Sequence, residues 1–204
     1  MSLEFSKGDI LFLQRILAVG GFYAGPLDGK WNKDIDAAEK AFDAKYLQIR
    51  NSDGEFDVRS EKNIMTMFPQ TQTAARQLLA AAKNFKYAVK IISGTRTYAE
   101  QNALFAIGRT VQTSKPKVTN ARGGQSNHNF CIAWDIGLFD KATGAYFTKT
   151  KPYQEFAAFV KPHLTGVEWG GDWTSFRDPP HYQMATGKTL KNVRSLFEAG
   201  KAFF

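Results

Sequence analysis

Apolar positions along the chain follow a helical period first and a mixed one later. Ile10, Leu11, Leu13, Ile16 and Leu17 mark one helical face opening near Lys7, and the paired Gly20-Gly21 predicts its end. A second face runs through Ala37, Ala38, Ala41, Phe42 and Tyr46, with Asn32 or Asp34 as its candidate cap. A third carries Ile64, Met65 and Phe68. The turns between them share their chemistry: Asp28-Gly29-Lys30-Trp31-Asn32 is echoed by Asp53-Gly54-Glu55-Phe56-Asp57. Each supplies an Asp-Gly turn, an aromatic side chain for a core and an Asx residue to start a helix. The pattern predicts a small three-helix module over residues 1–69.

Phe68 to Thr73 reads as a short linker, with Thr71 or Thr73 capping the next helix. That helix runs through Ala74, Leu78, Leu79 and Ala82, with Arg76 and Lys83 on its wet side. Tyr87 to Ser93 then predicts a buried strand ended by Gly94, followed by a helix from Tyr98 to Phe105. A long polar loop from Gly108 to Asn127 leads into an apolar strand through Ile132, Trp134 and Ile136, and a last helix spans Leu190 to Phe204. A loop of that length is usually a lid or a binding loop. Residues 70–204 are therefore expected to form an α+β domain.

Composition permits an ordinary globular core, with 43% hydrophobic and 23% charged residues. A single cysteine excludes an internal disulfide. The apolar run from Ile10 to Phe22 is interrupted by Gln14 and Arg15, so it suits an amphipathic helix better than a signal peptide or membrane span. The net charge of +8 is uneven: residues 1–68 carry nine basic against eleven acidic side chains, residues 69–204 eighteen against eight. A basic second part favours anionic partners. No nucleic-acid recognition motif accompanies the charge.

The three histidines and their neighbours carry the chemistry. His128 and Asp135 stand seven residues apart, and Asp178-Pro179-Pro180-His181 follows about fifty residues later. Two imidazoles and one carboxylate are a recognised ligand set for a catalytic zinc that keeps a position for water. His128, Asp135 and His181 are the candidate ligands, and Asp178 the candidate general base. An odd separation would put His128 and Asp135 on opposite faces of a regular strand, so the chain must bend at Asn129-Phe130-Cys131. Two prolines fix the offset between Asp178 and His181. Arg96, at a strand-to-helix junction, is placed to bind a carboxylate or steady an oxyanion, and Gln101 one turn on to add an amide contact. Ser126 reads as a substrate or supporting hydrogen bonder, since the Gly-x-Ser-x-Gly elbow of a serine hydrolase is missing. Cys131 reads as a buried spectator, and His163 as a surface or helix-end residue.

These residues carry two resemblances. Leu13 to Leu17, Gly21 to Trp31 and Ala38 to Phe42 resemble the peptidoglycan-binding domains of bacterial and phage wall hydrolases, which implies wall binding by residues 1–69. Ser93-Gly94-Thr95-Arg96-Thr97, Gln101, Ser126-x-His128, Asp135, Trp169 to Trp173 and Asp178-x-x-His181 resemble the zinc peptidases of the D-alanyl-D-alanine carboxypeptidase and L-alanyl-D-glutamate endopeptidase family. That resemblance covers nearly all of residues 70–204. It implies a central antiparallel sheet, zinc on His128, Asp135 and His181, Asp178 as base, and Arg96 on the substrate carbonyl or peptide. Where Cys131 stands, that family commonly has glycine.

A wall-binding module joined to such a peptidase resembles a bacteriophage endolysin. The resemblance implies accumulation in the host cytoplasm until lysis, action as a monomer at the cell wall, and cleavage of the L-alanyl-D-glutamate bond of peptidoglycan. A D-alanyl-D-alanine carboxypeptidase and a non-catalytic wall-binding protein are the alternatives. The last helix, with Lys191, Arg194 and Lys201 against Leu196, Phe197, Phe203 and Phe204, is a candidate contact for an anionic outer-membrane surface.

Overall fold

A computed structural model describes residues 6–204 as an α+β protein with seven α-helices and a four-stranded antiparallel sheet among them. Two compact units share the chain. One comprises the residues up to Ala44, Arg96–Cys131 and Gly187–Phe204; the other comprises Lys45–Thr95 and Ile132–Thr186.

The first unit opens with α1 (Lys7–Val19), capped by Ser6 in a capping box with Asp9, and ends at Gly20. Asn32 starts α2 (Lys33–Asp53): its Oδ1 accepts the N–H groups of Asp34 and Ile35 at 3.0 and 3.1 Å. Leu17, Tyr23, Ile35 and Ala38 form a small core. The first Asp-Gly turn is clamped from inside by Gln14, which is fully buried. Its amide donates to Asp28 and to the Lys30 carbonyl, and its Oε1 accepts the Gly29 N–H at 2.8 Å. Gly29 needs its missing side chain, because φ is +69° and a Cβ would sit 2.6 Å from the Lys7 carbonyl oxygen.

The same unit holds α5 (Tyr98–Ala106), boxed by Thr97 and Glu100, and α7 (Leu190–Glu198). Phe197 of α7 packs on Phe12 and Phe130, at ring separations of 5.6 and 5.3 Å. Of the apolar residues considered for a membrane surface, Phe197 and Phe203 are buried in the core, Leu196 is half-buried and Phe204 is exposed. The final helix is shorter than expected, because the chain leaves it at Ala199 and turns through Gly200 at φ +65°. No helix among the described residues is long and apolar enough to cross a membrane.

The second unit is built on the sheet, in the order β1-β2-β4-β3: β1 (Ala88–Ser93), β2 (Ala133–Phe139), β4 (His181–Met184) and β3 (Val167–Trp169). Against it lie α3 (Val58–Ile64), α4 (Pro69–Ala82) and α6 (Thr150–Val160), with Ile91, Trp134, Ile136, Leu138, Phe156 and Tyr182 in the common core. The expected boundary at residue 69 does not follow this division. Helix α3 is tied to β1, with the Ile91 N–H donating to Ser60 Oγ at 2.9 Å and Asn63 Nδ2 to the Ile91 carbonyl at 3.1 Å. The third helix of the presumed N-terminal module thus belongs to the unit that carries the sheet.

Two expectations are corrected here. Residues 69–73 are no linker: α4 begins at Pro69 with Phe68 as N-cap, so neither Thr71 nor Thr73 caps it. Arg76 does not face water. It is fully buried and forks onto both oxygens of Glu61, at 2.8 and 2.6 Å, with a third bond to the Gly54 carbonyl. Glu61 also accepts Tyr46 Oη and the Phe56 N–H. Periodicity alone assigned Arg76 to the surface, whereas a buried carboxylate fifteen residues earlier draws it inward.

Candidate metal centre

The sheet register brings two of the candidate ligands together. Asp135 on β2 is the direct antiparallel partner of His181 on β4, and facing residues of such strands point to one side at about 5 Å between Cβ atoms. Asp135 Oδ1 lies 3.1 Å from His181 Nδ1. The other ring nitrogen, Nε2, lies 3.0 Å from Gln183 Oε1, and Gln183 Nε2 donates to Glu168 Oε2 on β3 at 2.8 Å. Burial alone would push the His181 imidazolium pKa down. The hydrogen bond and charge of Asp135, helped by Gln183 and by the charge of Asp178, outweigh it and hold that pKa above the ordinary histidine value.

Asp178 reaches the same neighbourhood through a tightly closed loop. Its N–H donates to the Gly170 carbonyl at 3.0 Å, and its own carbonyl accepts the His181 N–H at 3.1 Å. The Pro179 carbonyl accepts the Trp169 indole N–H at 2.7 Å, and the Pro180 carbonyl accepts the Ile136 N–H at 3.0 Å. Gly170 makes this closure possible, since a Cβ there would meet the Asp178 carbonyl oxygen at 2.6 Å and His181 Cβ at 3.0 Å. The Trp173 ring lies 5.0 Å from the His181 imidazole.

His128 arrives by the bend that its spacing from Asp135 demanded. Residues Asn127–Phe130 form a single 3-10 turn, and Cys131 closes it in the left-handed region at φ 58°, ψ 21°. The His128 carbonyl accepts the Arg96 N–H at 3.0 Å. Beside it the buried Asn129 donates to the carbonyls of Arg96 and Thr97 and accepts the Gly124 N–H. Arg96 Nη1 donates to Gln101 Oε1 at 3.3 Å, while Gln101 Nε2 holds the Ala121 carbonyl. Gln101 is fully buried, so it positions Arg96 and the polar loop and does not reach out to a substrate. Ser126 is half-buried at the start of the turn, where its carbonyl accepts the Asn129 N–H. His163 is exposed, as expected.

One ligand atom from each of His128, Asp135 and His181 lies within 4.8 Å of the other two, with both imidazoles buried. Bonds of about 2 Å in a tetrahedral site put ligand atoms about 3.3 Å apart, so small side-chain shifts would let the three share one zinc ion. The donor set, two nitrogens and one carboxylate oxygen, suits zinc. The positioning groups are what the sequence did not announce. Asn129 and Glu168 carried no visible signal, but Gln183 did: two residues beyond His181 on a strand, it must share that ligand's face.

Comparison with known proteins agrees with this chemistry. Residues 119–184 match a family described as D-alanyl-D-alanine carboxypeptidase, within peptidase family M15. The peptidoglycan L-alanyl-D-glutamate endopeptidase CwlK of Bacillus subtilis is 37% identical over 125 residues, covering 58% of this chain and 73% of that protein. The chain belongs to peptidase family M15. The L-alanyl-D-glutamate peptidase of Listeria phage A118 is 29% identical over 134 residues, which cover 61% of this chain and 40% of the phage protein. Among solved structures, the L-Ala D-Glu endopeptidase ChiX of Serratia marcescens is 22% identical, with a TM-score of 0.47 over 68% of this chain and 92% of its own. The D,D-pentapeptidase VanY, solved with Zn(II), is 16% identical with a TM-score of 0.43, over 67% and 81% of the two chains. M15 members are zinc metallopeptidases, and zinc is the cofactor that the donor set here fits.

Proposed function

We propose that the protein is a peptidoglycan hydrolase that cuts the L-alanyl-D-glutamate bond of the stem peptide, with His128, Asp135 and His181 as its zinc ligands. The observation that carries the reading is the convergence of those three side chains, with Asp178 held by its backbone beside His181. The choice of bond is supported by the L-alanyl-D-glutamate specificity in the names of CwlK and the phage A118 peptidase. When bound, zinc supplies Lewis-acid activation of water and of a carbonyl. Asp178 takes a proton from the attacking water and returns it to the leaving amine, work that needs a carboxylate at a fixed offset. Arg96, steadied by Gln101, presents a forked donor to the peptide carbonyl or a stem carboxylate. Ser126 adds a hydrogen bond to substrate. The phage source of one relative supports an endolysin; its accumulation in the host cytoplasm until lysis is part of the proposal. Residues 1–69 are the part assigned to wall binding, on the resemblance carried by Leu13 to Leu17, Gly21 to Trp31 and Ala38 to Phe42.

The test is a digest of purified peptidoglycan followed by mass spectrometry of the fragments. Stem peptides freed with D-glutamate at their amino end are the expected products. Asp178→Ala should lower the rate by about 10²- to 10⁴-fold with zinc still bound. A second reading, D-alanyl-D-alanine carboxypeptidase, is favoured by the family description matched by residues 119–184. Release of free D-alanine from intact stems would establish it in place of the first.

A further inference from the structure

A chain of hydrogen bonds crosses three strands on one face of the sheet, from Asp135 through His181 and Gln183 to Glu168. Its members are register partners: Asp135 faces His181 across β2 and β4, and Gln183 faces Glu168 across β4 and β3. His181 and Gln183, two apart on β4, share a side of the sheet. The chain has a direction. An ionised Glu168 can only accept, so the Gln183 amide must turn its NH2 toward Glu168, at 2.8 Å. Its carbonyl oxygen is then left facing His181 Nε2 at 3.0 Å, and a carbonyl oxygen can only accept. In the neutral ring His181 therefore keeps its proton on Nε2, and the Nδ1 hydrogen that Asp135 accepts in the imidazolium is the one given up when a metal takes Nδ1. Had the amide the opposite polarity, its NH2 would demand a lone pair on Nε2 and put the proton on Nδ1.

We infer that Gln183, oriented by Glu168, is the positioning residue that selects Nδ1 of His181 as the metal-binding nitrogen. This rests on the zinc-site reading above. Neither residue touches substrate in this role. Gln183 acts through the tautomer and ring orientation of the ligand, and Glu168 acts through the polarity of Gln183. Such outer partners of a metal-bound histidine are typically worth 10- to 100-fold in metal affinity.

The experiment uses the full chain stripped of zinc and titrated against a chromophoric zinc chelator. Gln183→Leu should weaken zinc binding by about 10- to 100-fold. Exchanging the pair, Glu168→Gln together with Gln183→Glu, keeps a donor facing an acceptor and an acceptor facing Nε2, and should restore binding to within a few-fold of wild type. Long-range nitrogen NMR of the zinc-loaded protein reads the atom directly: His181 should show a protonated Nε2 and a zinc-shifted Nδ1 in wild type and in the exchanged pair. Packing alone would survive this isosteric exchange, so Glu168→Gln is also made by itself: it keeps the shape, removes the group that orients Gln183, and should weaken zinc binding where a packing role would leave it unchanged. The inference is overturned if Gln183→Leu binds zinc as tightly as wild type, if the exchanged pair is as weak as Gln183→Leu, or if zinc sits on Nε2. Should Gln183→Leu fail to fold, the spectra of wild type and the exchanged pair decide. Wild type that binds no zinc at all would overturn the hydrolase reading as well, so the two failures are distinguishable.

Discussion

Cys131 shows why single residues at this site answer to backbone geometry as much as to chemistry. It is fully buried and sits at φ 58°, a left-handed conformation that costs an L-residue about 1–2 kcal/mol. Glycine, common at this place in the family the sequence resembles, would carry no such cost. Cys131→Gly should therefore stay within about 1 kcal/mol of wild type in urea unfolding, relief of the backbone offsetting the lost side chain. Cys131→Val, β-branched and locked in the same conformation, should lose more than about 2 kcal/mol. The need for a bend between His128 and Asp135 was legible from their odd spacing, but its form, one 3-10 turn closed by one left-handed residue, was not. Gly170 makes the complementary case. In Gly170→Ala the new methyl would press on the Asp178 carbonyl and on His181, moving the proposed base and the candidate ligand together. Cell-wall digestion should fall by about 10²-fold, a misplacement effect, while circular dichroism stays near wild type.

At the scale of elements, the candidate ligands were legible and their carriers were not. Each ligand's residue type and order can be read along the chain, whereas the pairing of Asp135 with His181 is a fact of register between β2 and β4. A one-residue slip there would turn either side chain to the other face, and nothing in the local pattern sets that register alone. The buried Glu61–Arg76 pair shows the same limit: helical periodicity placed Arg76 in water, and only the assembled unit shows α3 and α4 locked through it. Removing one partner, as in Arg76→Met, should cost about 3–5 kcal/mol because the other charge stays buried. Burial by itself would raise the Glu61 pKa. The Arg76, Tyr46 and Phe56 hydrogen bonds and the Arg76 charge outweigh it, and the folded value lies below 4.5. With the folded pKa depressed, the stabilisation is complete above the unfolded value and is lost as pH falls through the folded one. Unfolding free energy should therefore decline with acid below about pH 4.5, and more shallowly in Glu61→Gln.

For the whole molecule, the backbone passes between the two compact units at residues 44/45, 95/96, 131/132 and 186/187. The order of helices and strands was readable, but this interleaving was not, because the pattern in residues 1–69 predicted a three-helix module of its own. Residues 70–204 expressed alone would lack Ser60, Asn63 and Glu61, and with them the backing of β1 and the partner of Arg76. That fragment should show no cooperative melting transition, and a sharp one would argue for independent domains. Zinc should act on the full chain as a folding ligand. At a hundred times its dissociation constant it stabilises by about 2.7 kcal/mol, so a chelator should lower the melting temperature and added zinc restore it. The tie between α3 and β1 also bears on how such an enzyme could be rebuilt. A designer who lifts the first 69 residues to graft them onto another peptidase would carry off part of the scaffold behind β1, so a cut at residue 69 divides what the fold keeps together.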